Sequence, residues 1–233
     1  MSDMNSPTGA SATVAAQRRQ EPDPLLPPDR QLDAAEIRRL LNCLSSHLQE
    51  AGSARNHLMI VGGAALALMW EDRTTHDAGV VFPDRAGAPQ DPAAVGRRTP
   101  SVDFISMRFT HELVRAARLV AEAEGLPRDW LNGAMAILAP AGDLQPQVLH
   151  RSDCLTVEAP SAAVLLAMKL HAARGKDLED AARLARGAGI SDPDEMLALV
   201  ADAYGADAAT AETSDFAERA LALALAQDSA SGG

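Results

Sequence analysis

The chain has 233 residues, 47% of them apolar, which is enough for one or two domains with a core that folds unaided. A formal net charge of -11 excludes a general nucleic-acid or membrane-surface binder, because sequence-independent affinity for a polyanion rests on many Lys and Arg displacing counterions. Two cysteines at no metal-ligand spacing, Cys43 and Cys154, no apolar run of ~18 residues and no basic-then-apolar opening argue against a disulfide scaffold, a membrane span and secretion, so the cytoplasm is the expected compartment.

Residues 1–30, rich in Ser, Ala, Pro and charge without sustained periodicity, read as a disordered tail that cannot recover the entropy of ordering. Asp33 and Glu36 form a capping box, and Ile37, Leu40, Leu41, Leu44 and Leu48 follow at helical spacing up to a stop at Gly52. "HLMIV" (57–61) reads as a short buried strand, Gly62-Gly63 as a tight turn, "AALALMW" (64–70) as a helix and "AGVVF" (78–82) as a second strand. A loop rich in Pro, Gly, Asp and Arg covers 83–100, then 102–109 alternates as a strand and 111–124 reads as a helix. From Pro160 the pattern is helical, at 161–174, 177–187, 193–204 and 212–227, with Gly or Pro between. The chain therefore reads as α+β, with a mixed core over 31–158, a helical region over 159–228 and no internal repeat.

The glycine pair lets backbone approach a phosphate, and N–H groups at the start of the helix that follows would face that anion. A Gly-Gly between a strand and a helix is also what a plain sharp turn requires. Its neighbours add weight: "RTTHDAGVVF" brings Asp77 to the entrance of a strand, where a carboxylate could hold Mg2+ against phosphates lodged at the glycines. His76 beside it reads as a solvent-facing turn residue or a phosphate donor.

On "VGGAALAL…RTTHDAGVVF", "GLPRDWLN" (125–132) and "PSAAVLLAMKLHAARGKDLEDAARL" (160–184), the chain resembles the nucleotidyltransferases of the DNA-polymerase-β-like superfamily, within them the abortive-infection toxin-like group. The resemblance covers roughly residues 57 to 187. It implies a small mixed sheet with a helical C-terminal part, and transfer of a nucleotide from an NTP, with Mg2+, to an acceptor that is tRNA in some toxins. A protein acceptor stays open, and a cognate antitoxin is implied as a partner. Position by position, it assigns Gly62 and Gly63 to the phosphate-binding turn, with Thr75 as a further nucleotide contact, and Asp77 to the first metal ligand. Lys169 becomes the lysine that meets the triphosphate, Arg174 a neighbouring nucleotide contact, and Asp177 or Asp180 the late acidic motif.

Two positions depart from that pattern. The family carries Asp-x-Asp where this chain reads Asp77-Ala78-Gly79, and the acidic residue expected after Trp-Leu-Asn is Gly133. Two-metal phosphoryl transfer needs clustered carboxylates, so the loss of a bridging one removes much of the rate. Asp103, between Val102 and Phe104, could supply a carboxylate from an adjacent strand, although an Asp on the wet face of an alternating strand needs no metal.

Lys169 stands out by composition as well. The chain has 21 Lys and Arg together, and only Lys169 and Lys176 are lysines, both within "MKLHAARGK". A compact ammonium serves as a point charge for phosphate where the planar fork of Arg does not; the alternative is that Lys169 snorkels from an apolar helix to water. Asp177 follows Gly175 and could equally cap the next helix. His171, two residues from Lys169, falls on another helix face, and Trp70 and Trp130 read as core or junction filling. The tail from 193 carries Asp202, Asp207, Glu212, Asp215, Glu218 and Asp228 against Arg219, a solvated cover or a partner surface. Two functions remain in view: a working nucleotidyltransferase, or a degenerate relative that keeps the fold and nucleotide binding and acts as a regulatory or interaction module.

Overall fold

The capping signal at Asp33 forms as read: its carboxylate accepts from the Glu36 backbone N–H at 2.7 Å and opens helix α1 (Ala34–Glu50), whose apolar face, Ile37 to Leu48, is buried. The structure, a computed structural model, describes residues 31–70, 74–75, 102–105, 110–133 and 139–231. The tail over 1–30, Asp77, the strand expected at 78–82 and the loop over 83–100 lie outside the described residues.

Strand β1 (Leu32–Asp33) precedes α1, and β2 (Asn56–Ile60) follows it. Helix α2 (Gly62–Met69) begins one residue after β2, so the glycine pair forms its first turn instead of preceding it. It is short, nearly all Ala and Leu, and buried from Gly63 to Leu68. A helix apolar on all sides is a core helix. Then come β3 (Thr74–Thr75), paired antiparallel with β1, and β4 (Val102–Ile105). Helix α3 (His111–Glu124) matches the expected bounds because both ends carry their signals: Thr110 accepts from the Leu113 N–H at 3.1 Å, and Gly125 closes the helix at φ +62°. Strand β5 (Leu131–Asn132) follows, with Trp130 fully buried before it and its indole N–H donating to the Ala117 carbonyl at 2.9 Å.

Strands β6 (Gln147–Arg151) and β7 (Leu155–Ala159) form a hairpin absent from the sequence reading. With them the sheet has five strands in the order β5-β4-β2-β7-β6, and β2 at its centre runs parallel to β7 and antiparallel to β4. The rest is helical, as expected from Pro160 on: α4 (Ala162–Ala172), a 3-10 turn at Gly175–Asp177, α5 (Leu178–Gly187), α6 (Pro193–Tyr204), a second 3-10 turn at Ala206–Ala208, and α7 (Ala211–Ser231). The architecture is thus mixed α+β, a small sheet with a helical C-terminal part. One apolar core joins them, from Leu32 through Leu58, Ile60 and Val157 to Leu166, Leu184 and Phe216.

Candidate functional site

Strands β2 and β7 are parallel, so their carboxyl ends share one edge of the sheet, and α2 and α4 both spring from it. Gly62 stands at that edge at φ +67°, where a Cβ would strain the backbone. Val61, the N-cap residue of α2, is extended and gives no side-chain hydrogen bond to the helix start. Strand β4 brings Asp103 to the same place. Met59 pairs with Ile105 and Ile60 with Phe104, and continuing that register sets Asp103 beside Val61, one residue before Gly62. The parallel β4–β5 pair sets Asn132 opposite Asp103, and the Val102 N–H donates to the Trp130 carbonyl. Glycine turn, Asp103 and the Trp-Leu-Asn stretch therefore meet along one edge. Thr75 lies in β3, paired with Leu32.

The second group of expected residues gathers between α4 and α5. Helix α4 ends at Ala173, held at φ +45° although it is not glycine, and that reversal returns the chain beneath the last turn of α4. Lys169, in that turn, reaches the Asp177 carboxylate at 2.5 Å and that of Asp180 at 2.7 Å. Arg174 Nε donates to the other Asp177 oxygen at 2.6 Å. The side chains of Lys169, Asp177 and Asp180 are 5–6% exposed and that of Arg174 37%, so Arg174 alone of the four meets solvent appreciably. Burial by itself would lift the Asp177 carboxyl; Lys169 and Arg174 outweigh it and hold it below the usual carboxylate range.

Neither ordinary expectation for these residues holds. Lys169 does not snorkel, and Asp177 gives no capping hydrogen bond to α5 because both its oxygens are turned to cations. The buried Lys169, Asp177 and Asp180 are paired with one another and Asp177 also with Arg174, and pairing is the condition under which buried charge is tolerated.

A third contact joins the two groups. Trp70 follows α2, half-buried, and the Arg183 guanidinium of α5 lies over its ring, 4.2 Å from the centroid. The expectation of a junction residue holds for Trp70, and that of a core residue for Trp130. The sequence by itself offers no partner for Arg183. His171 turns away from Lys169, as its spacing requires, and stacks on Tyr204 with ring centroids 4.2 Å apart.

As for Mg2+, no group of three or more His, Cys, Asp or Glu suited to a metal ion occurs among the described residues. The carboxylates of Asp177 and Asp180 already have Lys169 in the place a cation would take. What the described residues offer a metal at the sheet edge is the backbone position of Asp103; Asp77 lies outside them. No helix among the described residues is long and apolar enough to cross a membrane. In comparisons with known proteins, no family model matches the chain, and no curated protein or solved structure matches it significantly.

Proposed function

We propose that the protein is a nucleotidyltransferase-like protein that takes an NTP with Mg2+ and passes the nucleotide to an acceptor, tRNA or protein. The observation that carries this reading is the coincidence of Gly62, the start of α2 and the Asp103 register position at the carboxyl edge of the parallel pair β2 and β7. In open α/β sheets ligands bind outside the carboxyl ends of parallel strands, and a helix start favours anions there. In this reading Gly62 and Gly63, with Thr75, seat the phosphates. Arg174, the member of the ion cluster that reaches solvent, meets the nucleotide, while Lys169 is a buried post that holds Asp177 and Asp180 in place. Asp77 with Asp103 would hold the Mg2+, which neutralises charge on the transferring phosphoryl group. The toxin-like resemblance extends the proposal to a cognate antitoxin as partner.

A second reading keeps nucleotide binding without transfer and gives the protein a regulatory role. It is favoured by Gly79 in place of the second motif carboxylate and by the enclosure of Lys169 between two aspartates. Purified protein with Mg2+ and labelled NTPs, offered tRNA and protein acceptors, separates the two. Transfer that is lost in Asp103→Asn and in Asp77→Asn supports the first reading. Binding without transfer supports the second. Absence of Mg-NTP binding at millimolar nucleotide overturns both.

A further inference from the structure

Any site made by the glycine turn and the Lys169 cluster draws on two sets of helices within one core. Helix α2 packs on α1, β1, β3 and β4, whereas α5 packs on α4 and α7. Beside the apolar core they share, Arg183 over Trp70 is a polar side-chain contact between them. Trp70 ends the helix that Gly62 begins, about 12 Å away at the helical rise of ~1.5 Å per residue. Arg183 lies one turn beyond Asp180, whose carboxylate holds Lys169. The connection therefore runs from the glycine turn along α2 to Trp70, across to Arg183, and back along α5 to Asp180 and Lys169. Guanidinium suits this junction because it lies flat on an indole and remains charged, which an ammonium matches only in charge.

We propose that Arg183 is a positioning residue: stacked on Trp70, it fixes the Lys169–Asp180 end of the helical part relative to the phosphate-seating end of α2, and so sets nucleotide affinity. The inference rests on the nucleotide reading above. Arg183 itself touches no phosphate in it.

The test uses the full chain, Mg-ATP and the other Mg-NTPs as probes, and calorimetry well below the unfolding transition. The chain has two tryptophans and Trp130 is fully buried, so iodide-quenchable fluorescence reports Trp70. Arg183→Ala is expected to raise quenching and to weaken Mg-NTP binding about fivefold, the fold-change of a partly exposed cation–π contact. Arg183→Lys should recover part of the affinity, which a merely structural loss would not show. Should Arg183→Ala fail to fold, Trp70→Leu and Arg183→Lys carry the same comparison. Wild-type affinity retained in the variants overturns the positioning role while leaving the nucleotide reading intact. A wild-type protein that binds no Mg-NTP overturns both.

Discussion

Replacing Lys169 by methionine keeps most of the side-chain volume of α4 and removes one charge from a cluster that balances. The ammonium holds two carboxylates at 2.5 and 2.7 Å, both about 95% buried. Without it Asp177 keeps Arg174, while Asp180 loses the ammonium that holds it at 2.7 Å. Breaking a buried ion pair by removing one partner costs about 3–5 kcal/mol, out of a total stability on the order of 5–15 kcal/mol. For a chain of this size that is a fall in Tm of roughly 6–20 °C.

The dependence on pH gives the prediction its sign. In the wild type the Asp177 carboxyl is held below its unfolded value near 4, so its stabilising contribution is complete above that value and is lost as pH falls through the folded one. In Lys169→Met the attraction that outweighed burial is reduced and the buried Asp177 carboxyl titrates higher. Ionising it then stabilises the fold less than in wild type, and the deficit relative to wild type narrows on going from about pH 7 to about pH 4.5. Urea unfolding followed by far-UV circular dichroism at both pH values measures it. Adding Asp180→Leu should recover part of the loss, since it removes a buried carboxylate that Lys169 held. A Lys169→Met variant within ~1 kcal/mol of wild type, or a deficit that grows in acid, would refute the argument that this cluster is closed and mutually balanced.

Three further outcomes are expected. Ala173→Gly relieves a left-handed residue at φ +45° and should leave thermal stability unchanged or raise it by up to ~1 kcal/mol, whereas Ala173→Val should lower it by more than ~1 kcal/mol. The single tyrosine, Tyr204, is raised by burial to about 12, so ultraviolet absorbance should show phenolate only near that pH in the folded protein, and stability should decline between about pH 10 and 12 as the unfolded form releases its proton first. Gly62→Ala places a Cβ at φ +67° and should destabilise by about 1–2 kcal/mol; if the turn also seats phosphate, Mg-NTP affinity measured on the folded fraction falls as well.

The helices were legible where their ends carry chemistry of their own. Asp33, Thr110 with Gly125, and Asp192 with Pro193 mark starts and stops by side-chain caps and backbone freedom, which are local properties. The β6–β7 hairpin was not legible, because "QVLHR" lies at a sheet edge with little buried surface to impose alternation, and a register shift breaks it between Val148 and His150. Its partner β7 is defined by β2, far back in the chain. The site residues Lys169, Arg174, Asp177 and Asp180 could be named from the sequence, but their closure could not. It depends on a non-glycine residue in a left-handed conformation at 173, a position where nothing in the sequence signals a reversal. Asp103 was visible only as a carboxylate on an alternating strand, and the antiparallel register with β2 is what sets it beside the glycine turn.

The parallel pairing of β2 with β7 has a consequence for synthesis. Asn56 pairs with Leu155, so the central strand of the sheet emerges from the ribosome about a hundred residues before its parallel neighbour exists. At ~5–20 residues per second this delay is on the order of 5–20 s, during which β2 has β4 along one side while the side that β7 will pair stays open. Nascent chains arrested before residue 155 should therefore be captured by holdase chaperones or aggregate, and release should coincide with the synthesis of the hairpin that completes the sheet. Contacts so distant in sequence also place the sheet late in refolding, after the locally encoded helices.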